Sequence, residues 1–221
     1  MQNENFINSV NLNSQTNFPY LVLNIENNKA YPISPGFGVM HWHEDLQFTY
    51  VLKGKIRVKT LEDEKVISEG KGIFINKNVI HHVELFKNCS YKSFIFPEYF
   101  LKFYLGSPAN NFVEKITENK KISTIAIGDA EILKILDDLS NLEDNKNLFY
   151  QYEVLVNLSS LWLRFIKKLS IPMEKVTENV TNQRMMKFLQ FIEFHYSEEI
   201  SLEDLAKSAN VSKSECLRCF R

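Results

Sequence analysis

Three histidines and a glutamine carry the most distinctive chemistry in this sequence. In the stretch MHWHEDLQFTYVLKG, Met40 to Gly54, His41 and His43 stand two residues apart at the start of an alternating apolar run, and Gln47 keeps their parity. In a β-strand residues i and i+2 project from the same face, so these side chains share one surface. A second turn-rich stretch, Gly70-x5-Asn76-x-Asn78-x2-His81, supplies another imidazole. Imidazole nitrogens with an oxygen ligand suit a first-row transition ion. The same groups without an ion line a polar pocket and orient a small molecule. Spacing alone leaves both open. His82 alternates away from His81, and Trp42 away from its histidine neighbours, so both are read as packing or surface residues.

The elements that must position these residues are short. From Phe18 to Phe96 the sequence runs through apolar alternations (YLVLNI, QFTYVLKG, KIRVKTL, GIFINKN, YKSFIF) broken by Gly, Asn and Asp clusters. Strands at that spacing predict a β-sandwich or barrel. After Pro97 the period changes. Ile132, Ile135, Leu136 and Leu139 recur at helical spacing, and so do Val154, Leu155, Leu158, Trp162, Phe165 and Ile166. Two amphipathic helices are expected there, with Ile132, Ile135 and Leu139 near a dimer contact. The polar, Pro-interrupted stretch that follows reads as a linker.

Composition excludes several classes. At 221 residues with 44% hydrophobic and 24% charged, the chain is long enough for a substantial core and has the make-up of a globular protein. No apolar run approaches the roughly 20 residues that cross a bilayer, and MQNENFINSV lacks the pattern of a signal peptide. The three cysteines, Cys89, Cys216 and Cys219, form no even framework. Reduced thiols and a cytoplasmic location follow. Cys216 and Cys219 belong to the apolar stripe of a helix, since no second pair completes a zinc site. The net charge of −1 neither favours nor opposes nucleic acid.

The histidine spacing, His41-x-His43-x3-Gln47-x6-Gly54 followed by Gly70-x5-Asn76-x-Asn78-x2-His81, resembles the two signature motifs of the cupin family, a small jelly roll. The resemblance implies that His41, His43, Gln47 and His81 occupy its metal-ligand positions. Two departures stand out. Gln47 replaces a Glu, removing the charge that offsets a dication. Asn76 and Asn78 replace a Pro and a Gly, though Asn tolerates a left-handed turn. No resident metal or other cofactor is expected, and the four residues are read as effector-binding.

The C-terminal block carries two helix starts in quick succession. Ser201-Leu-Glu-Asp204 resembles a capping box and Ser212-Lys-Ser-Glu215 fits one, with Asn210 between them where a left-handed residue ends a helix. The inner seam would hold Leu202, Leu205, Ala206, Ala209, Val211, Cys216 and Phe220. This is the pattern of a helix-turn-helix. ISLEDLAKSANVSKSECLRCFR resembles the first helix-turn-helix of the AraC/XylS transcription regulators, in Leu202 to Ala206, the Val211-Ser212 junction and Arg218 to Phe220. Members of that family commonly join a cupin-like sensor, two dimerising helices, a linker and a DNA-binding domain with two such motifs. The resemblance implies that Ser214, Leu217 and Arg218 face base edges while Lys213 and Arg221 sit near phosphates. It also implies a chain that stops inside the first motif, with roughly 60 to 70 residues beyond it, the size of a half-domain. From Gln183 to Arg221 six basic residues balance six acidic ones.

The expected fold is α+β: a cupin jelly-roll β-barrel over 1–128, dimerisation helices over 129–170, a linker over 171–182, and an incomplete helix-turn-helix domain over 183–221. The expected function is that of a cytoplasmic, homodimeric, sequence-specific DNA-binding regulator whose barrel senses a small-molecule effector. It needs no membrane and catalyses nothing. A metal-dependent cupin enzyme, a dioxygenase or isomerase using His41, His43, Gln47 and His81, is the rival reading.

Overall fold

Alternating apolar residues and tight turns between Leu21 and Ile127 build the strands. In chain order they are β1 (Ile7–Asn8), β2 (Leu21–Glu26), β3 (Lys29–Tyr31), β4 (His41–Trp42), β5 (Leu46–Lys53) and β6 (Lys55–Thr60). They continue with β7 (Glu64–Ser68), β8 (Gly72–Ile75), β9 (His81–Leu85), β10 (Ser90–Phe96) and β11 (Thr124–Ile127). The computed structural model describes residues 7–8, 17–26, 29–32, 38–169, 184, 187–188, 191–192 and 194–220. The chain divides into two compact units, one from Met1–Leu101 and Val113–Ser170, the other from Lys102–Phe112 and Ile171–Arg221.

In the first unit the strands form two sheets, β1-β4-β9-β6-β7 and β11-β8-β5-β10-β2-β3. Except for the parallel β1–β4 pair, every pairing is antiparallel. Few neighbours in either sheet are consecutive in sequence, which is the jelly-roll arrangement. An apolar interior that includes Leu23, Ile25, Val51, Ile56, Ile73 and Val83 fills one end. Asn78 turns at φ 60 ahead of β9, so it does supply the left-handed residue expected of it. Asn76 does another job: its side chain donates to the carbonyls of Ile116 (3.0 Å) and Ile122 (2.9 Å), tying down the chain after α1 (Ala109–Thr117).

β5 is buried on both of its faces from Leu46 to Thr49, because helices cover the side that the barrel does not. α2 (Ala130–Asp144) starts at Asp129, whose carboxylate accepts from the amides of Glu131 and Ile132. α3 (Tyr150–Lys168) packs beside it. Phe48 and Phe74 of the sheet meet Phe165 of α3 at ring separations of 5.3 and 4.8 Å. Leu136 approaches Gly72 so closely that a Cβ there would stand 3.1 Å from its methyl. Lys92, buried on β10, donates to Ser140 O (3.1 Å) and pairs with Asp144 (2.6 Å) in the last turn of α2.

The second unit contains α4 (Leu202–Ser208) and α5 (Lys213–Cys219), and the described residues among 184–195 are helical. Ser201 and Asp204 close a reciprocal capping box. Asn210, at φ 58, ends α4: its amide reaches Lys207 O and that of Val211 reaches Ala206 O, both at 3.0 Å, the two bonds of a Schellman close. Ser212 caps α5 by accepting from Glu215 N, but the Glu215 carboxylate turns to arginines instead of completing a box. The core is Phe188, Ala206, Ala209 and Cys216. The expected seam is corrected at both ends: Leu202 is 37% and Phe220 47% exposed. Phe220 stacks on the fully buried Phe188 at 5.4 Å, an anchor that the helix-turn-helix pattern alone does not contain.

Candidate functional site

Strand register collects the histidines. His41 of β4 lies directly across from His81 of β9. His43 follows β4, and its carbonyl accepts from Asn78 N at 2.8 Å, locking the two motif segments together. Gln47 enters from β5, opposite Ile75 and Ile95. All four are buried, at 2%, 3%, 0% and 2% exposure for His41, His43, His81 and Gln47. Ring centroids lie 4.4 Å apart for His41–His81, 5.1 Å for His43–His81 and 6.1 Å for His41–His43. One ring nitrogen from each can be chosen so that all three fall within 4.8 Å of one another.

The backbone fixes the tautomers. Nδ1 of His41 faces Val39 O at 2.9 Å, that of His43 faces Asp45 O at 2.8 Å and that of His81 faces Val79 O at 2.9 Å. A carbonyl only accepts, so each Nδ1 carries a proton, and in the neutral rings of His41 and His81 Nε2 keeps its lone pair. Burial pushes His41 down to about 4, with the neighbouring His43 and His82 adding to the effect and the Val39 carbonyl opposing it. Burial, then His41 and His43, hold His81 well below its usual range. Both rings are therefore neutral at pH 7.

Gln47 joins this cluster to a polar pair that the sequence reading missed. Its Oε1 is 3.0 Å from His43 Nε2 and its Nε2 is 3.0 Å from both Thr49 Oγ1 and Ser93 Oγ. The two hydroxyls lie 2.7 Å apart, fully buried. Thr49 shares the strand parity of Gln47, so its side of β5 was legible. Ser93 arrives from β10 through register alone.

The resemblance to the cupin family implies a metal, and the donor set can be tested for one. Imidazoles with Nδ1–H committed to carbonyls are how metal-ligating histidines are held. The residues fit a divalent transition ion on His41, His43 and His81, with the Gln47 oxygen beside them. Such an ion would supply Lewis-acid character.

The residues read as DNA-contacting all belong to α5 or its end. Ser214, Leu217 and Arg218 are exposed, with Leu217 at 51%. Lys213 pairs with Glu203 at 2.9 Å, and Lys207 with the same carboxylate at 3.0 Å. These two lysines, Lys213 foremost, hold Glu203 down to about 2. Arg218 pairs with Glu215, which also binds Arg184 at 2.6 Å. Arg221 and the segment 171–182 lie outside the described residues.

The expected dimer contact is corrected. Ile132, Ile135 and Leu139 are 2%, 8% and 1% exposed, already covered within their own unit, because α2 turns that stripe inward. Exposed apolar residues along one face of α3 and the residue before it include Phe149, Tyr152, Val156 and Leu163.

Known proteins resemble parts or most of this chain. A cupin domain model matches residues 31–87. An uncharacterised HTH-type transcriptional regulator, YdeC of Bacillus subtilis (strain 168), is 28% identical over 195 residues. The match covers 84% of this chain and 66% of the relative, so the chain spans just under two thirds of that protein. Among solved structures, apo ToxT K231A from Vibrio cholerae superposes with a TM-score of 0.47 at 11% identity, over 90% of this chain and 73% of that one. The AraC-like transcriptional activator CuxR does so with a TM-score of 0.40 at 11% identity, over 80% and 61%.

Proposed function

We propose that this chain, a homologue of an HTH-type transcriptional regulator with a cupin domain, is the sensor and first DNA-contacting motif of an AraC-like transcription regulator. The observation that carries the reading is the α4–α5 pair. A reciprocal capping box, a Schellman close and a serine cap bracket two seven-residue helices on a shared core. That turn leaves Ser214, Leu217 and Arg218 together on the outer face of the second helix, at i, i+3 and i+4. Arg218 is suited to a bidentate contact with guanine and Leu217 to a thymine methyl, while Lys213 reaches a phosphate. Such a protein works in the cytoplasm, in keeping with three free cysteines.

The barrel site senses and does not turn over. The Nε2 atoms of the neutral His41 and His81 are acceptors, so the signal brings positive charge or hydrogen-bond donors: a divalent ion, or the hydroxyl or amine of an effector. A carboxylate would meet lone pairs.

A second copy of the chain is the partner for α3. Phe149, Tyr152, Val156 and Leu163 follow a three-four spacing with Ser159 between them, the seam of a paired helix. In an antiparallel pair crossing at Ser159 and Ser160, Val156 meets the partner's Leu163, and the acidic first turn at Glu153 faces the basic last turn at Lys167.

Selection from randomised duplex DNA by the whole regulator tests the central reading. One motif should be enriched, and Arg218→Ala should lose it. The 221-residue chain, with a single reading module, should give no specific shift on that DNA at physiological salt, because one such module buries little surface. Failure of the whole regulator to enrich any sequence, or recovery of a chemically altered ligand from the barrel, would replace regulation with another function.

A further inference from the structure

The pattern Ser-x-x-acid occurs twice in the second unit, at Ser201 to Asp204 and Ser212 to Glu215, and the two acids behave differently. Asp204 turns back and completes the box with Ser201. Glu215 holds the same place relative to Ser212, yet only the serine's half of that box forms. Its carboxylate reaches sideways instead. Oε1 accepts from Arg184 Nη1 at 2.6 Å, and Oε2 accepts from Arg218 Nη2. The Glu215 side chain is also more buried than that of Glu203, the other carboxylate that bridges two cations here. An acid placed to cap its own helix thus gives up that bond and holds an arginine of the outer face.

Arg184 is itself fixed in place. It precedes Phe188 by four residues, the spacing that puts two side chains on one face of a helix. Phe188 is fully buried and stacks on Phe220 just beyond α5, while Arg184 meets Glu215 in its first turn. One face therefore grips α5 near both ends, and the series Arg184, Glu215, Arg218 is held from behind. Arg218 is the exposed member of the three. A long, exposed side chain loses rotamer freedom when it binds, and one already oriented loses less. A guanidinium has five N–H donors, so the bond to Glu215 leaves enough for both acceptors of a guanine edge.

We infer that Glu215 is a positioning residue for DNA recognition: anchored by Arg184, it presents the Arg218 guanidinium to a base edge and reads no base itself. The inference rests on the reading of α5 as the DNA-contacting helix. It carries a distinctive sign. Deleting a carboxylate beside DNA would on charge alone tighten binding to every sequence. Deleting a positioning carboxylate costs discrimination at the one base pair that Arg218 reads.

The experiment uses the whole regulator and the duplex it selects, with each base pair changed in turn and discrimination taken as the ratio of affinities, which a loss of folded protein leaves unchanged. Arg218→Ala should lower discrimination at one base pair about tenfold or more. Glu215→Ala and Arg184→Ala should each lower it at that same pair about threefold or more, and Glu215→Ala should add nothing there once Arg218 is alanine. Loss at a different base pair would make Glu215 a reader in its own right and overturn the inference. So would unchanged discrimination with tighter binding to all sequences. Uniformly weaker binding by Arg184→Ala, with a shallower salt dependence, would make Arg184 a phosphate contact and overturn its place as the anchor. If Arg218→Ala alters discrimination nowhere, or no duplex is selected, the reading of α5 fails and the inference with it. Should Glu215→Ala fail to fold, Glu215→Gln, which keeps the volume and drops the charge, decides the question together with Arg184→Ala.

Discussion

The histidine cluster and the recognition helix hold their polar groups by opposite means. In the barrel, His41, His43, Gln47 and His81 are almost wholly buried and come from β4 and the residue after it, β5 and β9, each ring anchored by a backbone carbonyl. In the helix-turn-helix, Lys213 and Arg218 are exposed and tethered to Glu203 and Glu215 by solvent-facing ion pairs within one short segment. Buried polar groups incur a large uncompensated desolvation penalty when a partner is removed. Exposed ion pairs contribute between nothing and about 1 kcal/mol each and are screened by salt. The first region is therefore a rigid receptor whose state can change only in discrete steps. The second is free to exchange carboxylates for phosphates.

The largest expected effect lies in the layer that supports the receptor. Phe48 is fully buried against Phe74, Phe96 and Phe165. Phe48→Ala should cost the first unit about 3–5 kcal/mol in a urea titration. A loss below 1 kcal/mol would show that the helices do not stiffen the sheet and would weaken the contrast.

Acid should separate the two regions next. His41 titrates near 4 when folded against 6.5 as its ordinary value. The unfolded chain then binds the proton first, so its contribution to stability is complete above pH 6.5 and is lost as pH falls toward 4. At about 1.4 kcal/mol per unit, His41 alone removes roughly 3 kcal/mol over that window, and His81 acts in the same direction. In the second unit the lowered groups are Glu203, Asp204 and Glu215, all carboxylates, whose contributions fade only below their ordinary values of 4.5 and 3.8. Denaturation curves at pH 7 and pH 5, followed by signals from each unit, should show the barrel weakening while the helix-turn-helix holds. Equal weakening of both would contradict the neutral, buried histidines.

Local capping gives a smaller change. Ser201→Ala removes the hydroxyl that accepts from Asp204 N and donates to the Asp204 carboxylate, leaving the backbone bond from residue 201 to that carboxylate, while Ser212→Ala removes only the acceptor for Glu215 N. Each should cost about 1 kcal/mol, with Ser201→Ala the larger, measured by thermal unfolding of the second unit.

The smallest effect on stability comes with a change of association. Val156→Asp, on an exposed face, should alter monomer stability by no more than about 0.5 kcal/mol while light scattering reports the loss of the dimer. Ile135→Asp, by contrast, places a charge under α2 and should unfold the unit. A dimer that survives Val156→Asp would move the interface elsewhere.

How legible these regions were follows from the range of their contacts. The capped helices of the second unit were read almost to the residue, because Ser201, Asn210 and Ser212 act on amides within three positions. Phe188 escaped, since its burial depends on a helix whose partner faces lie further along the chain. In the barrel, parity along Met40 to Gly54 pointed to His41, His43 and Gln47, although the structure breaks that stretch between β4 and β5 instead of running it as one strand, and motif spacing added His81. The helix stripe at Ile132, Ile135 and Leu139 was correctly seen as apolar and wrongly pointed outward. Periodicity marks an apolar face but not what covers it.

By itself the sequence determined the strands of a sandwich or barrel, the two amphipathic helices and the helix-turn-helix, because each follows from local periodicity, capping or turn chemistry, while the jelly roll and the full set of imidazoles came from the resemblance in motif spacing. Only the tertiary structure decided that Ser93 on β10 meets Thr49 and Gln47, that Lys92 clasps the end of α2, and that α3 keeps the exposed face. Those pairings join residues about 45 or more positions apart, or depend on which face of a helix the sheet covers. Strand order and register set them, and no local pattern encodes either.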